Sequence, residues 1–309
     1  MVHPYTDRRS DGCLFETTPI AAPRLLAARS TPPSHIDLRP WCSPVEDQGH
    51  VGSCAANAVI GALEYHQRRH KVAEVDLSRL FVYYNARQLA RREGEDCGTF
   101  IHHAMAAVMA HGACPESLWP YQPAMWASRP TDACYEAATR FGAVSFARAP
   151  LGLECRAALA QGLPVVFGAR FPNAMLQVEA AATGRINLPL GGWPAPGGGH
   201  AMLVVGYDDG SRTWTVRNSW GAAWGDRGHV HIPFEVMERY AMPTQFWVIG
   251  ALDTAALEGP APREALAKIA AEAPQQASTA LDELRSGLRT QLEDNLNRAR
   301  EGFRNRLRE

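Results

Sequence analysis

Nowhere in this 309-residue sequence is there an apolar run of the roughly 18 residues that a helix needs to cross a bilayer. The opening, MVHPYTDRRSDGCLFETTPIAAP, also lacks the continuous apolar stretch of a secretory signal peptide. A soluble protein is expected, either cytoplasmic or exported by a route that reads no such signal. Neither charge is in excess: 31 Lys and Arg face 32 Asp and Glu, for a net charge of −1. No overall field therefore draws the chain to nucleic acid or acidic lipid, and partners must be argued from sites. The seven cysteines contain no C-x-x-C pair, which argues against a zinc ribbon or a thioredoxin-type motif. Their number is odd, so one thiol stays unpaired even if six form disulfides, and a nucleophile is a reason to leave one free. His66 and His70 stand i, i+4 on a predicted helix, but no third ligand accompanies them; neither a metal nor an organic cofactor is expected.

What is present is 46% apolar residues, enough for a substantial core, and no internal repeat. Composition divides the chain into an arm over residues 1–34, a helical part over about 35–145, a strand-rich part over about 146–252, and an extension over 253–309. In the second part, helical patterns cover Ala55 to Arg69, Ser78 to Arg92 and Thr99 to His111, the last ending at Gly112. In the third, strand patterns cover Pro164 to Ala169, Ala201 to Tyr207, Thr213 to Arg217, Gly228 to Ile232 and Gln245 to Ile249. In the extension, Leu281, Leu284, Leu288, Leu292, Leu296, Ala299, Phe303 and Leu307 form one stripe at an average step of about 3.7 residues. That step suits an amphipathic helix better than a heptad coiled coil.

Three segments carry chemistry. In Gln48-Gly49-His50-Val51-Gly52-Ser53-Cys54-Ala55, a glycine-containing turn runs straight into a helix, so Cys54 stands at a helix N-terminus, where amide N–H groups favour a thiolate. Gln48 can aim its amide at the same point as the Cys54 N–H, and two such donors make an oxyanion hole. In Gly197-Gly198-Gly199-His200-Ala201, a histidine stands at the mouth of a strand behind a glycine-rich loop. In Asn218-Ser219-Trp220-Gly221, the Asn218 amide can accept the Nδ1–H of His200, so that Nε2 faces Cys54, with Trp220 shielding the bond from water.

Gln-Gly-x-x-Gly-Ser-Cys, Gly-His-Ala and Asn-Ser-Trp-Gly, in that order, resemble the papain family of cysteine peptidases, and His35-Ile36-Asp37-Leu38-Arg39 looks like the start of its mature domain. The Cys54-to-His200 separation lies within the family's range of about 130–150 residues. The resemblance covers roughly residues 35–250. It implies an α+β, two-lobed fold with a helical lobe, an antiparallel barrel-like β lobe and the active-site cleft between them. It further implies that Gly98 pairs through its backbone with a substrate strand, and that Gly199, Ala201 and Trp220 line the site. Val51 stands where the family usually carries a disulfide cysteine, so that bridge should be absent. Ala55 replaces the usual aromatic, and Gly199 replaces the acidic residue common before the histidine. These departures, with the Ala and Arg content, suggest a bacterial-type member.

The implied activity is hydrolysis of peptide or protein substrates, with Cys54 as nucleophile, His200 as base and acid, Asn218 orienting it, and Gln48 in the oxyanion hole. Transglutaminase-like acyl transfer is the competing use of a Cys-His pair, but that pattern usually carries an acidic third member. A non-catalytic module is disfavoured by the intact set of four. The arm over 1–34 is a candidate autoinhibitory segment, too short for a large helical prodomain, or else a strap packed on the surface or a disordered terminus. The extension, with Arg285, Arg289, Arg298, Arg300, Arg304, Arg306 and Arg308, is expected to pack on the catalytic part, or else to serve self-association or a partner.

Overall fold

The computed structural model describes residues 5, 8–16, 20–26, 31–71, 74–142, 145–250, 257–261 and 264–279. Three helices build one lobe: α1 (Cys54–Arg69), α2 (Arg79–Leu89) and α3 (Ile101–His111). Every residue of α1 from Cys54 to Tyr65 is buried. Such a helix sits at the centre of the molecule, and its small residues let neighbours close in: Gly61 lies against Arg217 and Leu203 of the other lobe. The α2 helix starts where its cap chemistry says, with the Ser78 hydroxyl accepting from Phe81 N–H at 3.2 Å. The α3 helix stops at Gly112, whose φ of +78° ends the helical path.

The second lobe is built on a nine-stranded sheet. In chain order its strands are β1 (Arg24–Leu25), β2 (His35–Asp37), β3 (Ser145–Arg148), β4 (Val165–Ala169), β5 (His200–Asp208), β6 (Thr213–Arg217), β7 (His229–Pro233), β8 (Ala241–Gly250) and β9 (Leu257–Glu258). Their spatial order is β7-β6-β5-β4-β8-β3-β1-β9, with β2 added to β5. All pairings are antiparallel except β1 with β3. The barrel-like expectation therefore needs correction. The sheet stays open, because β3 pairs with β1 and β1 with β9 instead of curling back to β7. Packing of α1 against β5 joins the lobes and brings the ends of these two elements together.

Described residues of both the arm and the extension reach this body. Residues 264–279 are helical, and Ala265, Ile269, Ala273 and Ala277 are buried at i, i+4 spacing. Ala277 packs with Leu14 of the arm, Ala90 and Phe100, while Gln276 Oε1 accepts from His102 Nε2 at 3.2 Å. The described part of the extension thus spends its apolar face on the protein itself, and the self-association reading finds no support there. The stripe from Leu281 to Leu307 and the seven arginines lie outside the described residues. No described helix is long and apolar enough to cross a membrane.

Truncating the fully buried Ile269 to Ala should lower stability by about 2–4 kcal/mol, the ordinary loss for a large-to-small core change. Denaturant unfolding measures this, and an unchanged midpoint would mean that residues 264–279 do not pack as described.

Candidate active site

Cys54 is the first residue of α1. The turn before it is tied from several sides. Gln48 N–H donates to Ser219 O at 2.8 Å, Tyr121 OH donates to Gln48 O at 2.9 Å, and Ser53 Oγ lies 2.6 Å from Tyr121 OH. Ser219 Oγ donates to Gln48 Oε1 at 2.5 Å, which fixes the amide so that Nε2 is its cleft-facing donor. That nitrogen reaches Val51 O at 2.9 Å and Arg9 O at 3.4 Å.

His200 opens β5 from the opposite lobe, and Asn218 follows the end of its neighbour β6. The expected ring orientation is overturned. It is Nε2 of His200 that bonds Asn218 Oδ1, at 2.8 Å, while Nδ1 is buried without a hydrogen-bond partner among the described residues. Nε2 lies farther from the backbone than Nδ1, so it is the nitrogen that spans the gap to the adjacent strand. Trp220 covers this pair, its ring centroid 5.2 Å from that of His200.

Burial dominates the electrostatics. It pushes the Cys54 thiol up to about 12, against the opposing pull of the Ala201 and Ala55 backbone N–H groups. It pulls His200 down to about 4, with the Asn218 hydrogen bond acting the other way. Both shifts favour the neutral thiol and neutral imidazole over the ion pair.

The arm contributes to that burial. Residues 8–16 run along the cleft between the lobes. Thr99 N–H donates to Gly12 O at 3.0 Å, Leu14 N–H to Thr99 O at 3.0 Å, and Cys13 N–H to Gly199 O at 2.8 Å. Cys13 and Thr99 thereby form a parallel bridge. Gly12 passes so close to Gly52 that a Cβ on it would stand 2.6 Å from Gly52 O. Charge anchors the start of the strap: Arg8 pairs with Asp47 at 2.8 Å and Arg9 with Asp96 at 2.6 Å. Phe15 fills space left by the missing side chains of Gly168 and Gly199.

Of the other residues singled out in the sequence, Ala201 presents its backbone N–H to the Cys54 sulfur. Gly98 spends its N–H on Tyr83 OH at 3.1 Å, and the strand-like pairing is made one residue later, by Thr99. All seven cysteines are free. In place of a disulfide beside Val51, Asp96 Oδ1 accepts from Gly52 N–H at 3.0 Å and from Tyr83 OH at 2.6 Å, joining the two loops. Sequence reading missed Asp96; the one signal pointing to it was Val51, which left that loop without its usual tether. His66 donates to or accepts from nothing near the cleft: its Nε2 meets Ile249 O at 2.9 Å.

The model of the papain family cysteine proteases matches residues 32–246. An uncharacterized peptidase C1-like protein of Acanthamoeba polyphaga mimivirus is 32% identical over 213 residues, covering 66% of this chain and 68% of that protein. Cathepsin L1 of Drosophila melanogaster is 29% identical over 213 residues, and the match spans only 54% of its length. Among solved structures, xylellain, a cysteine protease from Xylella fastidiosa, superposes with a TM-score of 0.69 at 31% identity, over 80% of this chain and 99% of that one. Digestive procathepsin L 3 of Tenebrio molitor shares the fold, with a TM-score of 0.58 at 19% identity. A cysteine at the head of a central helix, a histidine from the facing sheet and a family match over most of the chain lead to one conclusion: the chain belongs to the papain family of cysteine proteases.

Proposed function

We propose that this chain hydrolyses peptide bonds through a Cys54 thioester, and that residues 8–16 hold it latent. The observation that carries the reading is the His200 ring: Nε2–H is committed to Asn218, which leaves Nδ1 as an unused base in the cleft. Once the strap leaves, a peptide carbonyl can take the place of Arg9 O before Gln48 Nε2 and the Cys54 N–H. Cys54 gives its proton to His200 Nδ1 and bonds the carbonyl carbon. The C–N bond then breaks as His200 hands that proton to the departing amine. Water, losing a proton to Nδ1, splits the thioester and restores the thiol.

The direction of the strap supports latency rather than cleavage. It runs from the Gln48 side, where Trp220 and His200 would receive a leaving amine, towards Thr99. A substrate strand must run the other way to put its acyl part beside Gly98 and Thr99, so the strap occupies the cleft without offering a correctly oriented bond. The neutral thiol beneath it is also the weaker nucleophile.

A mixed peptide library incubated with reduced full-length protein and with Cys54→Ala tests the reading. Cleavage only by the former is expected, while incorporation of amines without cleavage would point to acyl transfer instead. Gly12→Val, which cannot fit against Gly52, should raise cleavage at least ~10-fold, equivalent to about 1.4 kcal/mol in the closed–open equilibrium. A rate equal to wild type would remove the strap from the account. Gln48→Ala should reduce kcat by about 10²–10³, the usual loss of one oxyanion donor.

A further inference from the structure

Two successive arginines of the strap sit on two carboxylates that belong to the cleft. Arg8 Nη2 lies 2.8 Å from Asp47 Oδ2, and Arg9 Nη1 lies 2.6 Å from Asp96 Oδ2. The two carboxylates flank the reaction centre. Asp47 is the residue before Gln48 and bridges to Trp220, on the side of the leaving amine. Asp96 bonds Gly52 N–H, two residues before Cys54, and lies in the loop of Gly98, on the acyl side.

Asp96 is built to stay in place when the strap departs. Its Oδ1 is held by Gly52 N–H and Tyr83 OH, which leaves Oδ2 as the atom facing the cleft, where it meets Arg9. The nearby cation Arg87 is turned away: it stacks on the Tyr83 ring at 3.9 Å and donates to the carbonyls of Tyr83, Glu93, Glu95 and Trp126. Gly52 has no side chain between the cleft and this carboxylate; a Cβ there would stand 3.1 Å from Asp96 Oδ1. Asp11, which shares the Arg9 guanidinium, belongs to the strap and leaves with it. The seated Arg9 places its carbonyl at Gln48 Nε2 and its guanidinium at Asp96 together, so one basic residue satisfies the oxyanion donor and the carboxylate at once.

We infer that Asp96 and Asp47 are specificity-determining residues that select substrates with basic side chains flanking the cut: Asp96 takes the Arg or Lys donating the scissile carbonyl, and Asp47 takes a basic residue donating the amine. The strap holds the cleft by presenting the same chemistry in reverse order. This inference rests on the peptidase reading above.

The test uses full-length Gly12→Val protein and peptides identical except for Arg, Lys, Leu or Glu at the residue donating the carbonyl. Arg and Lys peptides should be cleaved with the higher kcat/KM, and the preference should shrink in high salt. Asp96→Asn, whose amide oxygen still accepts from Gly52 and Tyr83, should lower the Arg-to-Leu ratio of kcat/KM roughly tenfold or more, the worth of a charge-assisted hydrogen bond. A loss of folding alone would move both peptides together and leave the ratio unchanged. Asp47→Asn should lower the corresponding ratio only in a series varied at the residue donating the amine. Cleavage with no basic preference, or with a preference that Asp96→Asn leaves intact, overturns the inference and leaves the peptidase reading standing. No cleavage of any peptide beyond the Cys54→Ala level overturns both.

Discussion

A thiol and an imidazole buried together cannot separate charge cheaply, and the neutral state of the pair in the closed cleft follows from that constraint. Cys54 and His200 are both fully buried, and burial drives one up and the other down until the neutral pair is favoured. The favourable features are already built: the helix N-terminus, the Ala201 N–H beside the sulfur, and the Asn218 bond to Nε2. What opposes them is the strap that keeps water out. The proposed latency is therefore both steric and electrostatic. Removing residues 8–16 from the cleft opens the space for a substrate and lowers the cost of the thiolate that attacks it.

The strap is held at several independent points rather than by one strong contact. Backbone pairing with Thr99 and Gly199 fixes its middle, and ion pairs of Arg8 and Arg9 fix its start. Farther along, Glu16 accepts from Gln245, while Leu14 packs beside Ala277 of the C-terminal helix. The arm continues into β1, which pairs with β9 at the entrance to the same extension. Described residues of the arm and of the extension thus meet beside Phe100, at the start of α3. The Arg8–Asp47 pair reaches an exposed carboxylate and is worth only about 0–1 kcal/mol, so it does not hold the strap alone.

Much of the site was legible in the sequence because it depends on local signals. Ser53-Cys54 behind a glycine turn and ahead of an alanine-rich segment marks the start of α1, and the strand patterns around Ala201 and Thr213 came out close to β5 and β6. The ring nitrogen was not legible, since Nδ1 and Nε2 are distinguished only by the distance between His200 and Asn218 across two strands. Asp96 was hidden for a similar reason: nothing local distinguishes it from the acidic residues beside it, and its role arises from a contact with Gly52 that is 44 residues away in the chain. The barrel-like expectation failed because β1, β3 and β9 are short, weakly patterned strands whose pairing partners come from opposite ends of the chain.

The central claim is that the strap sets the ionisation of the nucleophile. It is tested most directly by following carboxymethylation of Cys54 against pH, by mass spectrometry, in the wild type and in Gly12→Val. In the wild type the rate should keep rising with pH towards an apparent pKa of about 12. In the variant it should level off at a lower pH, where water and the His200 imidazolium stabilise the thiolate. Coincident profiles for the two proteins would contradict the account.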